Sequence, residues 1–87
     1  MLKVVFHPKA SKELLKIPQL FRFQIINKIG ELEPLEHPLF HRNIIKLKGT
    51  NQENFRLRVG DYRVKFSFDQ RASLIFITHI QHRQVGY

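Results

Sequence analysis

Phe55-Arg56-Leu57-Arg58-Val59-Gly60-Asp61-Tyr62-Arg63-Val64-Lys65-Phe66-Ser67-Phe68 is the stretch whose reading decides the fold. Apolar and polar residues alternate on both sides of Gly60-Asp61, which is the period of a half-buried strand. Gly60 supplies the positive φ that a two-residue type I′ or II′ turn requires. That turn sets the cross-strand pairs. Val59 faces Tyr62, Leu57 faces Val64 and Phe55 faces Phe66, so one side of the hairpin is apolar. On the other side Arg58 meets Arg63 and Arg56 meets Lys65. Like charges directly opposite one another destabilise a sheet by a fraction of a kcal/mol per pair, up to ~1. Two such pairs side by side are a poor choice for stability alone. A polyanion lying across them removes the repulsion, and phosphate is the obvious candidate.

Outward from the hairpin the pattern changes twice. Residues 2 to 7 read as a strand centred on Val4-Val5-Phe6. Pro8 suits the first turn of a helix over residues 8 to 16, with Leu14 and Leu15 turned inward. Pro18 interrupts that helix and opens a second one. There Phe21, Ile25, Ile29 and Leu32 recur at helical spacing, Ile26 widens the stripe, and Pro34 ends the element. Residues 33 to 43 read as a loop. Asn43 to Lys48 reads as a strand with Ile45 and Leu47 inward and Lys46 and Lys48 outward. After a turn at Asp69 to Ser73, the last strand runs from Leu74 to about Gln81; its near-continuous hydrophobicity suits a place inside a sheet. The order is β-α-α-β-β-β-β. It predicts an α+β fold: an N-terminal strand, an αα-hairpin, then antiparallel strands, with both helices packed on one face of the sheet. The opposite face is expected to carry Lys46, Lys48, Arg56, Arg58, Arg63, Lys65 and Arg83.

The 87 residues are expected to form one domain, 1–87, with one modest core. Fifteen Lys and Arg stand against seven Asp and Glu, a formal net charge of +8, which points to nucleic acid or an acidic protein as partner. No apolar run approaches the ~18 residues of a membrane span. The first residues lack the length and cleavage site of a secretory signal. The absence of Cys excludes disulfides and thiolate metal sites, and a cytoplasmic setting is expected. His37 and His41 are four apart, but Pro38 lies between them, so no shared metal on a helix is expected, and no cofactor. Ser11, Ser67 and Ser73 have no evident triad partner, and no phosphate-cradling Gly-rich motif occurs.

Three runs occur together: Lys46-Leu47-Lys48-Gly49, then Phe55-Arg56-Leu57-Arg58-Val59-Gly60-Asp61-Tyr62-Arg63-Val64, then Ile80-Gln81-His82-Arg83 closing on Tyr87. In that combination the chain resembles the RelE/ParE superfamily of toxins, in particular its compact archaeal-type RelE branch, over nearly its whole length. The resemblance implies a toxin of a type II toxin–antitoxin system. It implies a ribosome-dependent endoribonuclease that cleaves mRNA in the A site and so inhibits translation. The RNA 2′-hydroxyl attacks the adjacent phosphate, without a metal. An acidic, RelB-like antitoxin in a heteromeric complex is the implied partner, with ribosome and mRNA as targets. By position, Arg56 and Arg58 match the basic pair of the first hairpin strand. Arg63 and Arg83 are implied at the scissile phosphate, where a planar guanidinium makes paired hydrogen bonds. Tyr87 is implied to stack on a base or assist proton transfer. Lys46, Lys48 and Lys65 would track the RNA backbone.

The superfamily also contains ParE-like inhibitors of DNA gyrase and catalytically weak RNA-binding members; these are the alternative readings. The chain departs from RelE members described with lysines at the hairpin pair, having Arg56 and Arg58 instead. Arginine keeps its proton to a pH above ~12 and is a poor general base. The nearby side chains that ordinarily titrate near neutrality are His79 and His82. Strand alternation puts His79 on the side of Arg83 and His82 on the other, so His79 is the candidate proton acceptor.

Overall fold

The computed structural model describes residues 1–47 and 54–83. Its elements run β1 (Lys3–Phe6), α1 (Pro8–Leu15), α2 (Gln19–Gly30), a 3-10 turn (Pro38–Phe40), β2 (Ile44–Lys46), β3 (Asn54–Val59), β4 (Tyr62–Asp69) and β5 (Leu74–His82). The first helix starts where a His-Pro pair stands. His7 Nδ1 accepts the Lys9 N–H at 3.0 Å, and Pro8 occupies the first helical position, where a missing N–H is harmless. His37-Pro38 repeats the device: His37 Nδ1 accepts the Leu39 N–H at 3.1 Å and opens the 3-10 turn inside the segment expected to be a loop.

The strands form one sheet of order β1-β5-β4-β3-β2. β2 to β5 pair antiparallel, as predicted, and β5 lies inside the sheet. β1 joins β5 in parallel, from Lys3 opposite Leu74 to Phe6 opposite Ile77, so the sheet is mixed. A parallel pair needs a long crossover, and the intervening αα-hairpin belongs to that connection. The β3–β4 register is the one the alternation dictates, with Phe55 on Phe66, Leu57 on Val64, Val59 on Tyr62, Arg56 on Lys65 and Arg58 on Arg63. Gly60 takes φ 56° and Asp61 stays at negative φ, which is the type II′ choice of the two allowed turns.

Both helices lie on one face. Ala10 and Leu14 of α1 and Ile25 and Ile29 of α2 join Phe55, Leu57, Val64, Phe66, Ile75 and Ile77 in a single core. Phe55 and Phe66 stack across the hairpin with centroids 5.5 Å apart and planes 15° from parallel. Leu14 is buried, but Leu15 is 68% exposed. Successive helical residues are turned by a little over a quarter of a circle, so a short helix on a flat sheet cannot bury both. Phe21 and Ile26, expected in the inward stripe of α2, are also exposed, and the buried stripe is Ile25, Ile29 and Leu32.

β2 corrects a second expectation. Ile44 pairs with Leu57 and is buried, Ile45 pairs with Arg56 and faces out, and Lys46 pairs with Phe55 on the core side of this edge strand. Two consecutive isoleucines fit either parity, and a slip of one residue reverses every side chain. Packing against Leu57 selects Ile44, and Lys46 therefore leaves the face of Arg56 and Lys65.

Between α2 and β2, His41 Nε2 meets Glu31 Oε1 at 2.8 Å. The hydrogen bond from His41, helped by the nearby Lys28 cation, lowers the Glu31 carboxyl below its ordinary 4.5. A depressed carboxyl stabilises the fold above its unfolded value, and that contribution is lost as pH falls through the lowered folded value.

The weight of the sheet rests on the Phe55–Phe66 pair. Phe55→Ala is expected to lower unfolding free energy by about 3–5 kcal/mol, read as a drop in urea midpoint at unchanged slope.

Candidate nucleic-acid interface

The helices cover one side of the sheet and leave the other open. Adjacent pairs on the open side form two rows across the strands. One row runs Ile45, Arg56, Lys65, His79; the other runs Arg58, Arg63, Gln81. Four cations thus occupy neighbouring positions on two adjacent strands, whose backbones lie roughly 4.8 Å apart.

The hairpin turn anchors two guanidinium groups. Arg63 Nη1 donates to Gly60 O at 2.8 Å and to Tyr62 O at 2.9 Å, which fixes the plane of its guanidinium beside the turn. The Arg83 N–H donates to Asp61 O at 2.7 Å, and Arg83 Nε lies 3.6 Å from Asp61 Oδ1. The C-terminal end of β5 is thereby tied to the turn, and Arg83 is held next to Arg63. Arg42 is a further member. With Asn43, Ile45, Arg56 and Arg58 it lines a hollow of about 220 Å³. Three guanidinium groups around one hollow suit a phosphate, because arginine presents its donors as a planar fork. Among the described residues no carboxylate pairs with Arg42, Arg58 or Lys65.

β5 carries a bulge. Lys65 pairs with His79 and Phe66 with Ile77, which leaves Thr78 as the extra residue. Its hydroxyl donates to Lys65 O at 3.1 Å. Strict alternation from Ile75 and Ile77 would turn His79 into the core; the bulge reverses the parity, buries Ile80 and places His79 opposite Lys65. His82 pairs with Tyr62 on the helix side, its ring 5.3 Å from the Tyr62 ring in an edge-on contact. The two histidines therefore take opposite faces, as expected. Lys48 and Tyr87 lie outside the described residues.

No protein-family model and no curated protein matches the chain. Solved structures do. The archaeal RelE–RelB complex of Pyrococcus horikoshii OT3 contains a chain 29% identical to this one, with 94% of each chain covered and a TM-score of 0.74. The RelB–RelE antitoxin–toxin complex of Methanococcus jannaschii gives 25% identity, 95% and 94% coverage and a TM-score of 0.77. The toxin–antitoxin complex RelBE2 of Mycobacterium tuberculosis gives 26%, 94% and 98%, and 0.76. This chain belongs to the RelE superfamily.

On this RelE fold the expected site residues divide three ways. Arg56, Arg58, Arg63 and Lys65 share the open face, with His79 at the end of their row and Arg83 tied to their turn. Lys46 is on the opposite face. Lys48 and Tyr87 are not placed. Arg42 and Asp61 were missed by the sequence reading. Arg42 precedes β2 without periodicity, and Asp61 reads as an ordinary turn residue, so neither carried a local signal.

Two measurements test the interface. Arg58→Thr removes a like-charge cross-strand pair and is expected to raise stability by a few tenths of a kcal/mol, up to ~1, at low ionic strength. The gain should shrink as salt is added. For a short single-stranded RNA, Arg42→Ala is expected to reduce the slope of log affinity against log salt by about 0.7, the loss of one phosphate contact.

Proposed function

We propose that the chain is the toxin of a type II toxin–antitoxin pair and acts as a ribosome-dependent endoribonuclease on mRNA. The observation that carries this is the gathering of Arg56, Arg58, Arg63 and Lys65 on the open face of a RelE-type sheet, with Arg83 tied to the same turn.

The chemistry suits such a face. The 2′-oxygen bonds to the adjacent phosphorus, the bond to the 5′-oxygen breaks, and a 2′,3′-cyclic phosphate and a 5′-hydroxyl result. One proton leaves the 2′-hydroxyl and another reaches the 5′-oxygen. The crowded phosphorus carries added negative charge on the way, and cations already fixed in place stabilise it without reorganising. Arg63 and Arg83 are assigned to the scissile phosphate, since the turn pre-positions both. Arg56 and Arg58 sit one strand further out and, with Arg42, hold the neighbouring phosphate. Lys65 tracks the backbone between them. Neither arginine of the hairpin pair accepts a proton near neutrality, so His79 is assigned as the base. Water or Tyr87 supplies the proton for the 5′-oxygen. Among the described residues, Arg56, Arg58, Arg63, Lys65 and His79 lie on the open face of the sheet, so the ribosome is assigned the task of holding the mRNA in a cleavable geometry.

An acidic antitoxin fits the rest of the surface. The chain carries +8, and the αα-hairpin exposes Leu15, Leu20, Phe23 and Ile26. Phe6, Leu14, Leu15 and Ile26 line an apolar groove of about 310 Å³. Such area, beside strong positive charge, suits an acidic segment that folds on binding.

In a reconstituted translation reaction, the purified toxin is expected to cut mRNA at A-site codons, mapped by primer extension. Arg63→Ala and Arg83→Ala should each slow cleavage by about 10²–10³-fold. Intact A-site mRNA in the presence of folded toxin would overturn the assignment, and gyrase inhibition in a supercoiling assay would replace it.

A further inference from the structure

The bulge at Thr78 delivers His79 to the open face, but one ring nitrogen remains unaccounted for. His79 Nδ1 is buried and has no hydrogen-bond partner. The acidic atom facing it is Glu13 Oε1, 3.7 Å away. Glu13 comes from α1, and its own position is fixed. β1 pairs with β5 only as far as Ile77, so beyond that point the edge of β5 is uncovered. Glu13 Oε1 accepts the Ile80 N–H there at 3.2 Å. One carboxylate oxygen therefore sits between a backbone donor of the bulged strand and the imidazole that the bulge re-aims. Among the described residues the other charged group across from His79 is Lys65, and the two line a shallow hollow of about 280 Å³ with Leu47, Asn54 and Thr78.

A neutral imidazole carries its proton on one nitrogen and a lone pair on the other. If the lone pair stood on Nδ1, it would be buried facing a carboxylate oxygen, two acceptors with no donor between them. A proton on Nδ1 instead points at that oxygen, and a small rotation of either side chain closes the contact to hydrogen-bond length. The Nε2 lone pair is then the one left for the hollow beside Lys65.

We propose that Glu13 is a positioning residue that holds His79 in the Nδ1–H tautomer, so that Nε2 is the atom that takes the 2′-hydroxyl proton. The catalytic half rests on the endoribonuclease assignment above; the tautomer half does not. When Nε2 accepts the proton, the ring becomes an imidazolium with Glu13 behind it, the arrangement by which a carboxylate orients and stabilises a catalytic histidine. No other bond changes at His79, and the proton is returned to solvent after cleavage.

Nitrogen-15 NMR of the full-length toxin at a pH where His79 is neutral decides the first half. The expected spectrum shows a protonated Nδ1 and an unprotonated Nε2 in the wild type, and a mixture of tautomers in Glu13→Ala. A wild-type ring protonated on Nε2, or a tautomer unmoved in Glu13→Ala, overturns the proposal whatever the enzyme does. In the translation reaction, Glu13→Ala is expected to slow cleavage by about tenfold to a hundredfold and His79→Ala by about a hundredfold or more. The double variant should be no slower than His79→Ala alone. Losses that multiply would show that Glu13 acts elsewhere, and the amide spectrum of each variant reports that it is folded. Should cleavage be absent in the wild type, the endoribonuclease assignment fails while the NMR result still decides whether Glu13 sets the tautomer.

Discussion

Beneath the open face, Phe55 stacks on Phe66, and the four hairpin cations above, Arg56, Arg58, Arg63 and Lys65, take their places from that register. The side-chain period of a strand is two, so burying Phe55, Leu57 and Val59 forces Arg56 and Arg58 to the opposite side. The same holds for Val64, Phe66 and Phe68 against Arg63 and Lys65. The like-charge pairs are thus imposed by the register of the core. Their repulsion is at most ~1 kcal/mol per pair. The apolar pairs below are worth several times that, so the register holds and the charge stays concentrated.

The hairpin turn has a second use. Its two carbonyls hold the Arg63 guanidinium, while Asp61 offers a carbonyl to the Arg83 backbone and a carboxylate near its side chain. Residues far apart in sequence become neighbours through one short turn. The exposed Asp61 carboxylate, 3.6 Å from Arg83 in water, aligns that cation and neutralises little of it. A site assembled this way has its donors oriented before any anion arrives, the condition for electrostatic stabilisation of a developing charge.

The two edges of the molecule contrast with the hairpin. At one, β2 is three residues long and carries Lys46 on its core side, a charge that discourages further strand pairing. At the other, β1 stops short of the end of β5, and α1 fills the gap with Glu13. The helices bury one stripe each and leave Leu15, Leu20 and Phe23 in solvent. That exposure is more than a free-standing small domain needs, and it lies on the αα-hairpin, away from the basic face.

Alternation and turn chemistry were enough to determine the α+β order, the β3–β4 register and the grouping of Arg56, Arg58, Arg63 and Lys65, because each depends on neighbours within one hairpin. The starts of both α-helices were legible too, since Pro8 and Pro18 act locally, whereas the 3-10 turn at His37-Pro38 fell in a segment read as loop. Tertiary packing decided what local pattern leaves degenerate. Ile44-Ile45 satisfies either parity, and only Leu57 across the strand picks one and sends Lys46 to the other face. Leu14-Leu15 is equally ambiguous until a sheet buries one of them. Arg42, Asp61 and Glu13 reach the site through contacts remote in sequence. The parallel pairing of β1 and the bulge at Thr78 have no sequence signal either: both are set by hydrogen bonds between segments that only the folded chain brings together.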